Sequence, residues 1–178
     1  MGDGGAVVPS ISRPLEEIEV GDLVFRKGDG LWTKFFVNKS SREKRFSHVG
    51  IVVSNCMSKI TIAHAEAGDW TGVGDVHLQD WNGFFDGALD CAVYRLNGDV
   101  YLRNRIAKNA ENYIGVPFDN LFDMDNTNRL YCTEFVRLCV NNAVGTNLIG
   151  WTESKAKKII ALDDIYRRGF HKVYDVKD

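Results

Sequence analysis

The segment Asn126-Thr-Asn-Arg-Leu-Tyr-Cys-Thr-Glu-Phe-Val-Arg-Leu-Cys-Val-Asn-Asn-Ala-Val-Gly145 is the most periodic in the chain, and what it becomes settles the architecture around it. Its apolar residues Cys132, Phe135, Val136, Cys139, Val140 and Ala143 fall at i, i+3, i+4, i+7, i+8 and i+11. That is the spacing of one helical face. Asn126-Thr-Asn128 offers caps before it, and Gly145 stops it. The pattern predicts a helix that opens near Cys132 and lays an apolar stripe on a core. A cysteine in a first turn meets unpaired N–H groups and the positive end of the macrodipole, a place that favours an anion. A free thiol titrates near 8.5, and a helix N-terminus or a neighbouring imidazolium lowers that by about one to several units. Cys132 is therefore either a nucleophile or the first apolar residue of the stripe, and the pattern leaves both open. Cys139 reads as core, and Cys56 and Cys91 as strand packing.

Upstream the period changes to that of strands. His48-Val-Gly-Ile-Val-Val53 and Lys59-Ile-Thr-Ile-Ala-His-Ala-Glu66 flank the short polar segment Ser54 to Ser58 and predict an antiparallel hairpin. Period two places His48, Gly50 and Val52 on one face, and Ile62, His64 and Glu66 on one face of the partner. Further strands are expected at Ile18–Phe25, Val76–Leu78, Cys91–Arg95 and Phe170–Val176. A second helix is expected from Tyr101 to Ile114, stopped by Gly115 and Pro117, with a helical turn or two within 159–166. Asn38–Arg45 reads as a solvated, charged loop. The fold class is α+β, an antiparallel sheet packed against a few helices.

The chain has 178 residues and 20.0 kDa, with 44% apolar and 26% charged residues. That is the size and balance of one soluble domain. Gly-rich residues 1–14 read as a flexible arm, and 15–178 as the single domain. A net charge of -2 and a pI near 6.1 exert no pull on phosphate backbones. No nucleic-acid partner is expected. No window approaches the roughly 18 apolar residues of a membrane span, and Met1 to Pro9 lacks the pattern of a signal peptide. The chain reads as cytoplasmic, although one trimmed of a leader or lipid anchor would read the same. Four cysteines without a C-x-x-C pair form neither a disulfide scaffold nor a zinc finger, and phosphate-loop motifs are absent. No cofactor is expected, and no partner chain is assigned.

A cysteine nucleophile needs a base and a third polar group that orients the base. Among the four histidines, His48 opens a strand and can project onto a helix end. His64 lies in the partner strand, His77 in a loop-rich stretch and His171 in the closing strand. Glu66, beside His48 in the proposed hairpin, can receive its second ring N–H, or else is an exposed strand-end carboxylate. His48, His64 and Glu66 also make up a His/His/Glu zinc set, without the helical H-E-x-x-H spacing.

Five stretches taken in order carry a resemblance: Val20-Gly-Asp-Leu-Val-Phe25, Phe46-Ser-His-Val-Gly-Ile-Val52, Ala65-Glu-Ala67, Gly115-Val-Pro-Phe-Asp119 and Tyr131-Cys-Thr-Glu-Phe-Val136. They resemble the motifs of the circularly permuted NlpC-type papain-like hydrolases, the YiiX/YaeF group, in which the histidine strand precedes the cysteine helix. The resemblance implies a papain-like antiparallel sheet with the nucleophile at a helix N-terminus. It implies Cys132 as nucleophile, His48 as general base and Glu66 as the orienting polar residue. Tyr131 and the Cys132 N–H become candidates for the oxyanion or substrate site. Asp22 and Glu134 become caps, and Asp119 and the loop 123–128 cleft residues. The function implied is a cysteine hydrolase working through a thioester on a small-molecule, acyl-lipid or peptide amide substrate. Trp32, Phe35, Phe36, Trp70, Trp81, Phe84 and Phe85 form either an apolar wall for an acyl chain or core. A non-catalytic binding module on the same fold and a zinc hydrolase at His48, His64 and Glu66 are the alternatives.

Overall fold

The computed structural model describes residues 17–28, 30–40, 42–57, 59–154 and 157–177. The predicted arm at 1–14 lies outside the described residues. Six antiparallel strands form the main sheet: β1 (Leu23–Lys27), β2 (His48–Cys56), β3 (Lys59–Ala67), β4 (Gly74–Asp80), β5 (Asp90–Leu96) and β8 (Phe170–Asp175), in the order β4-β3-β2-β1-β5-β8. The short pair β6 (Thr152–Ser154) and β7 (Lys157–Ile159) stands apart. The helices are α1 (Leu31–Lys39), α2 (Trp81–Phe84), α3 (Val100–Glu111), α4 (Cys132–Val144) and α5 (Leu162–Ile165).

Alternation along the strands gives the sheet two apolar faces. Leu23, Phe25, Val49, Ile51, Ala63 and Ala65 join one buried cluster with Ile106 of α3 and Phe135, Val136 and Cys139 of α4. Val24, Val52, Ile62 and Val93 point the other way, into a cluster closed by Ile18, Trp81, Phe84 and Phe85. Gly50 lies at the crossing of β2 and β3, where a Cβ would come within 2.6 Å of the Ile62 side chain. Burying both faces is why β2 and β3 read as nearly continuous apolar runs.

The helix from Cys132 forms as its periodicity predicts, but Asn126–Asn128 do not cap it. The Asn126 side chain accepts from Asn128 N–H within the preceding loop. The N-cap is Tyr131, in extended conformation. Glu134, three residues on, reaches back to the Tyr131 N–H, which is half of a capping box. Gly145 closes the helix in the left-handed region, at φ 78°, and donates to Asn141 O. The first strand begins at Leu23 rather than Ile18, because Asp22 accepts Glu19 N–H at 2.8 Å and folds 19–22 into a turn. Helices α1 and α2 were not expected. Each is short, and the polar tail of α1 hides its one described core residue, Phe36. No described helix is long and apolar enough to cross a membrane.

The charged run 38–45 is not wholly solvated. Arg45 is drawn inward and donates to Asp90 on β5 at 2.8 and 2.9 Å and to Asp175 on β8 at 2.7 Å. Both carboxylates are buried, at 8% and 7% exposure. The guanidinium also lies over the Phe46 ring, 4.6 Å from its centre. Removing Arg45 leaves two buried carboxylates to the more exposed ammonium groups of Lys177 and Lys172, at 2.8 and 3.1 Å, which compensate them in part. Arg45→Ala is expected to lower the stability of the protein at neutral pH by about 3 kcal/mol, read by urea unfolding. A loss under about 0.5 kcal/mol, the size usual for an exposed ion pair, would show that this hub does not hold the sheet edge.

Candidate active site

The β2–β3 ladder runs from Cys56↔Lys59 to Ile51↔Ala63. Below it, His48 on one strand and Ala65, Glu66 and Ala67 on the other border a cleft of about 490 Å³, which Cys132 also lines. Strand N–H groups alternate sides in an antiparallel sheet. Val52 N–H bonds Asp22 O beside β1, so Val49 N–H points toward the β3 side. There it meets the Cys132 sulfur, which the Thr133 N–H also faces. The N-terminus of α4 thus enters the sheet where two strands separate. Cys132 arrives from the face covered by α4, whereas the His48 ring packs on Phe84 of the opposite face, 5.6 Å between centres. Both border the same cleft.

The hydrogen bond that His48 makes is to His64: Nε2 lies 2.9 Å from His64 Nδ1 with both rings buried. Glu66 is engaged elsewhere. One of its oxygens takes a hydrogen bond from Arg26, and the other lies 3.9 Å from His64 Nδ1. The expected Glu66–His48 contact gives way because Arg26 sits directly across from His48 on β1, and a guanidinium is a stronger donor to a carboxylate than a neutral ring.

Burial and the Arg26 charge hold His48 well below the usual imidazole range. The same causes, with His77, lower His64 to about 3. Burial pushes the Cys132 thiol up to about 12, against the pull of the N–H groups around it. The lowered thiol expected from the helix terminus is therefore corrected. Desolvation outweighs the macrodipole, and at rest both the thiol and the imidazole are neutral.

Tyr131 is also placed differently. Its hydroxyl accepts from Ile160 N–H at 3.2 Å, and its ring packs on Phe122 and Phe36 in the core. The side chain is fully buried and does not line the cleft. Asp119 is buried and accepts from Leu121 and Asp123 N–H, shaping the loop rather than lining the cleft; its neighbour Phe118 lines it. Among the aromatics, Phe36 borders the cleft, Trp81, Phe84 and Phe85 are core, and Trp70 is exposed. The side chains of Trp32 and Phe35 lie outside the described residues. Asp22 and Glu134 cap, as expected. Arg26 and Gln79, which contact the glutamate and histidine of the site, carried no motif, and a strand-end arginine next to an apolar run was their only signal.

The ligand atoms of His48, His64 and Glu66 all lie within 4.8 Å of one another. Two neutral imidazoles and a carboxylate are the donor types zinc takes. Ligand atoms about 2 Å from a tetrahedral ion stand a little over 3 Å apart, between the 2.9 and 3.9 Å found here. The residues fit a divalent ion, with the Arg26 charge beside Glu66 opposing it.

Residues 17–164 match the model of the permuted papain-like amidase enzymes, the YaeF/YiiX, C92 family. The chain belongs to that family. Among solved structures, the metalloprotein YiiX from Escherichia coli O157:H7 is similar, with a TM-score of 0.73 and 16% identity over 89% of this chain and 98% of that one. The likeness shows the shared fold. No curated protein matches the sequence.

Glu134, two residues past the cysteine, is buried with one oxygen unpartnered. Burial and the nearby Asp119 raise it from 4.5 to about 8. A carboxyl that keeps its proton only in the folded state loses stability as pH rises from its unfolded toward its folded value. Stability is therefore drained between about pH 4.5 and 8. Glu134→Gln keeps an acceptor for Tyr131 N–H and removes the titration. Its stability relative to wild type is expected to grow across that window in urea melts. A difference that stays flat from pH 5 to 8 would place the Glu134 carboxylate in a solvated setting.

Proposed function

We propose that this member of the permuted papain-like amidase family is a cysteine amidase in which Cys132 is the nucleophile and His48 its base. The observation that carries the reading is that the first residue of α4 and the first residue of β2 border one cleft where β2 and β3 separate. As substrate binds, the Cys132 proton passes to His48 while the sulfur attacks the amide carbonyl. The oxyanion faces the free N–H groups of the first helical turn. The amine leaves with the proton from His48, giving a thioester, and His48 then deprotonates the water that releases the acid. Because thiol and ring rest neutral, transfer is coupled to attack rather than preceding it. Glu66 is the acidic member of the set. Its bond to Arg26 offsets a guanidinium that otherwise weakens His48 as a base. Phe36, Ala65 and Phe118 give the cleft an apolar wall suited to an acyl group on a small-molecule, lipid or peptide amide.

A second reading is a metal centre at His48, His64 and Glu66, favoured by their convergence and by the similar fold of a protein described as a metalloprotein. A bound divalent ion supplies Lewis-acid polarisation and an activated water. The two readings compete for His48, since a ring nitrogen cannot both ligate and accept a proton.

Screening acyl p-nitroanilides and p-nitrophenyl esters separates them. Cys132→Ala is expected to lower kcat by at least about 10³-fold, His48→Ala by about 10²- to 10⁴-fold, and chelator to leave the rate unchanged. Acid-quenched turnover of an ester is expected to show the acyl mass on the Cys132 peptide. Hydrolysis that survives Cys132→Ala and disappears with chelator would establish the metal centre instead. Stoichiometric binding without turnover would leave a binding module.

A further inference from the structure

We infer that the hydroxyls of Thr33 and Ser47 form a substrate subsite beside the reacting centre, one that takes a second, neutral carbonyl oxygen of the acyl group; this deepens the cysteine amidase reading above and rests on it. Both residues line the cleft that Cys132 and His48 border. Ser47 ends the connection from α1 to β2 and is 5% exposed, and Thr33 lies in the first turn of α1. The Ser47 oxygen is held in place by the Gly28 N–H, which it accepts at 3.0 Å. Its own proton finds no acceptor at normal distance. Arg26 O is 3.5 Å away and Thr33 Oγ1 is 3.4 Å away, where a hydroxyl hydrogen bond usually spans about 2.7–2.8 Å. The Thr33 hydroxyl makes no shorter bond among the described residues. Two hydroxyl donors at the cleft thus lack a good partner, and a ligand oxygen placed between them supplies it.

Charge decides what kind of oxygen that is. Four carboxylates, those of Glu66, Asp69, Asp75 and Asp86, line the cleft against one guanidinium, that of Arg26, which is bound to Glu66. A carboxylate or phosphate on the ligand is repelled there, so the acceptor is uncharged. Position separates it from the carbonyl under attack. Ser47 N–H bonds Arg26 O and Ser47 Oγ accepts from Gly28, which fixes the residue on the β1 side of β2. The Cys132 sulfur meets the Val49 N–H on the β3 side. The hydroxyl pair therefore serves a carbonyl further along the acyl group. Phe36, three residues past Thr33 on α1, and Phe118 line the same cleft and supply apolar surface for the rest of that group. A few polar groups set in an apolar lining are what fix the orientation of a ligand.

The test measures binding to the full chain carrying Cys132→Ala, so that no thioester forms. Two amides are compared by calorimetry: N-acetylnorleucinamide, which has a second carbonyl, and 2-isobutylhexanamide, in which an isobutyl group replaces the acetamido group. Thr33→Val and Ser47→Ala are each expected to weaken binding of the acetamido compound about 5- to 10-fold, the loss of one neutral hydrogen bond, and to leave the isobutyl compound within about twofold. Thr33→Val keeps the shape of the side chain and breaks no backbone hydrogen bond, so it carries the test if Ser47→Ala, which also frees the Gly28 N–H, fails to fold. Equal weakening of both amides, an unchanged affinity for the acetamido compound in the variants that fold, or no binding of that compound at all would overturn the inference. Failure of the Cys132–His48 reading shows separately, as turnover in the ester screen that survives Cys132→Ala.

Discussion

The meeting of the α4 N-terminus with β2, where Cys132 and His48 come to line one cleft and the Val49 N–H faces the sulfur, is the constraint around which the site is arranged. It requires that β2 and β3, hydrogen-bonded from Cys56↔Lys59 to Ile51↔Ala63, give way below that point to the tip of a helix. It also requires α4 to be anchored elsewhere, and its apolar stripe supplies the anchor by packing Phe135, Val136 and Cys139 on one face of the sheet. Strand alternation sends His48 to the opposite face, among His64, Phe84 and Glu66. A cysteine from one side of a sheet and a histidine from the other can share a cleft where the sheet is open between them.

That placement sets the electrostatics. Both groups lose water, so the thiol is pushed up to about 12 and the imidazole is held low; neither is charged at rest. The positive end of α4 is present, but it stabilises a charge only once one forms, and at rest neither group carries one. Arg26 and Glu66 belong to the same balance. A guanidinium next to a base works against protonation, and the carboxylate bound to it cancels much of that field.

The parts of this arrangement that were legible in the sequence are those written in local periodicity. The stripe from Cys132 to Ala143 could only be a core-facing helix, and the runs at His48 and Lys59 could only be paired strands, so the order of histidine strand before cysteine helix was visible, as were Cys132 and His48 as candidates. What was not legible depends on contacts between distant residues. The Asn126–Asn128 caps were misread because the intervening Leu130 pairs with Phe118 and delays the helix to Tyr131. Glu66 stands near His48 in the hairpin, but nothing in the pattern of β3 tells that Arg26, forty residues earlier, takes its carboxylate. Tyr131 sits next to Cys132 in sequence, yet its side chain turns into the core toward Ile160. A lowered thiol was expected because position in a helix can be read from sequence and depth of burial cannot.

The measurement that bears most directly on the paired thiol and imidazole is alkylation of the four cysteines by iodoacetamide across pH, resolved peptide by peptide, in wild type and in His48→Ala. Cys132 is expected to react faster than the buried Cys91 and Cys139, with a rate that climbs toward alkaline pH and no fast plateau below pH 7, and to slow when His48 is removed. A rate for Cys132 equal to that of Cys139 and indifferent to His48 would mean that the sulfur is core and that the cleft holds no nucleophile.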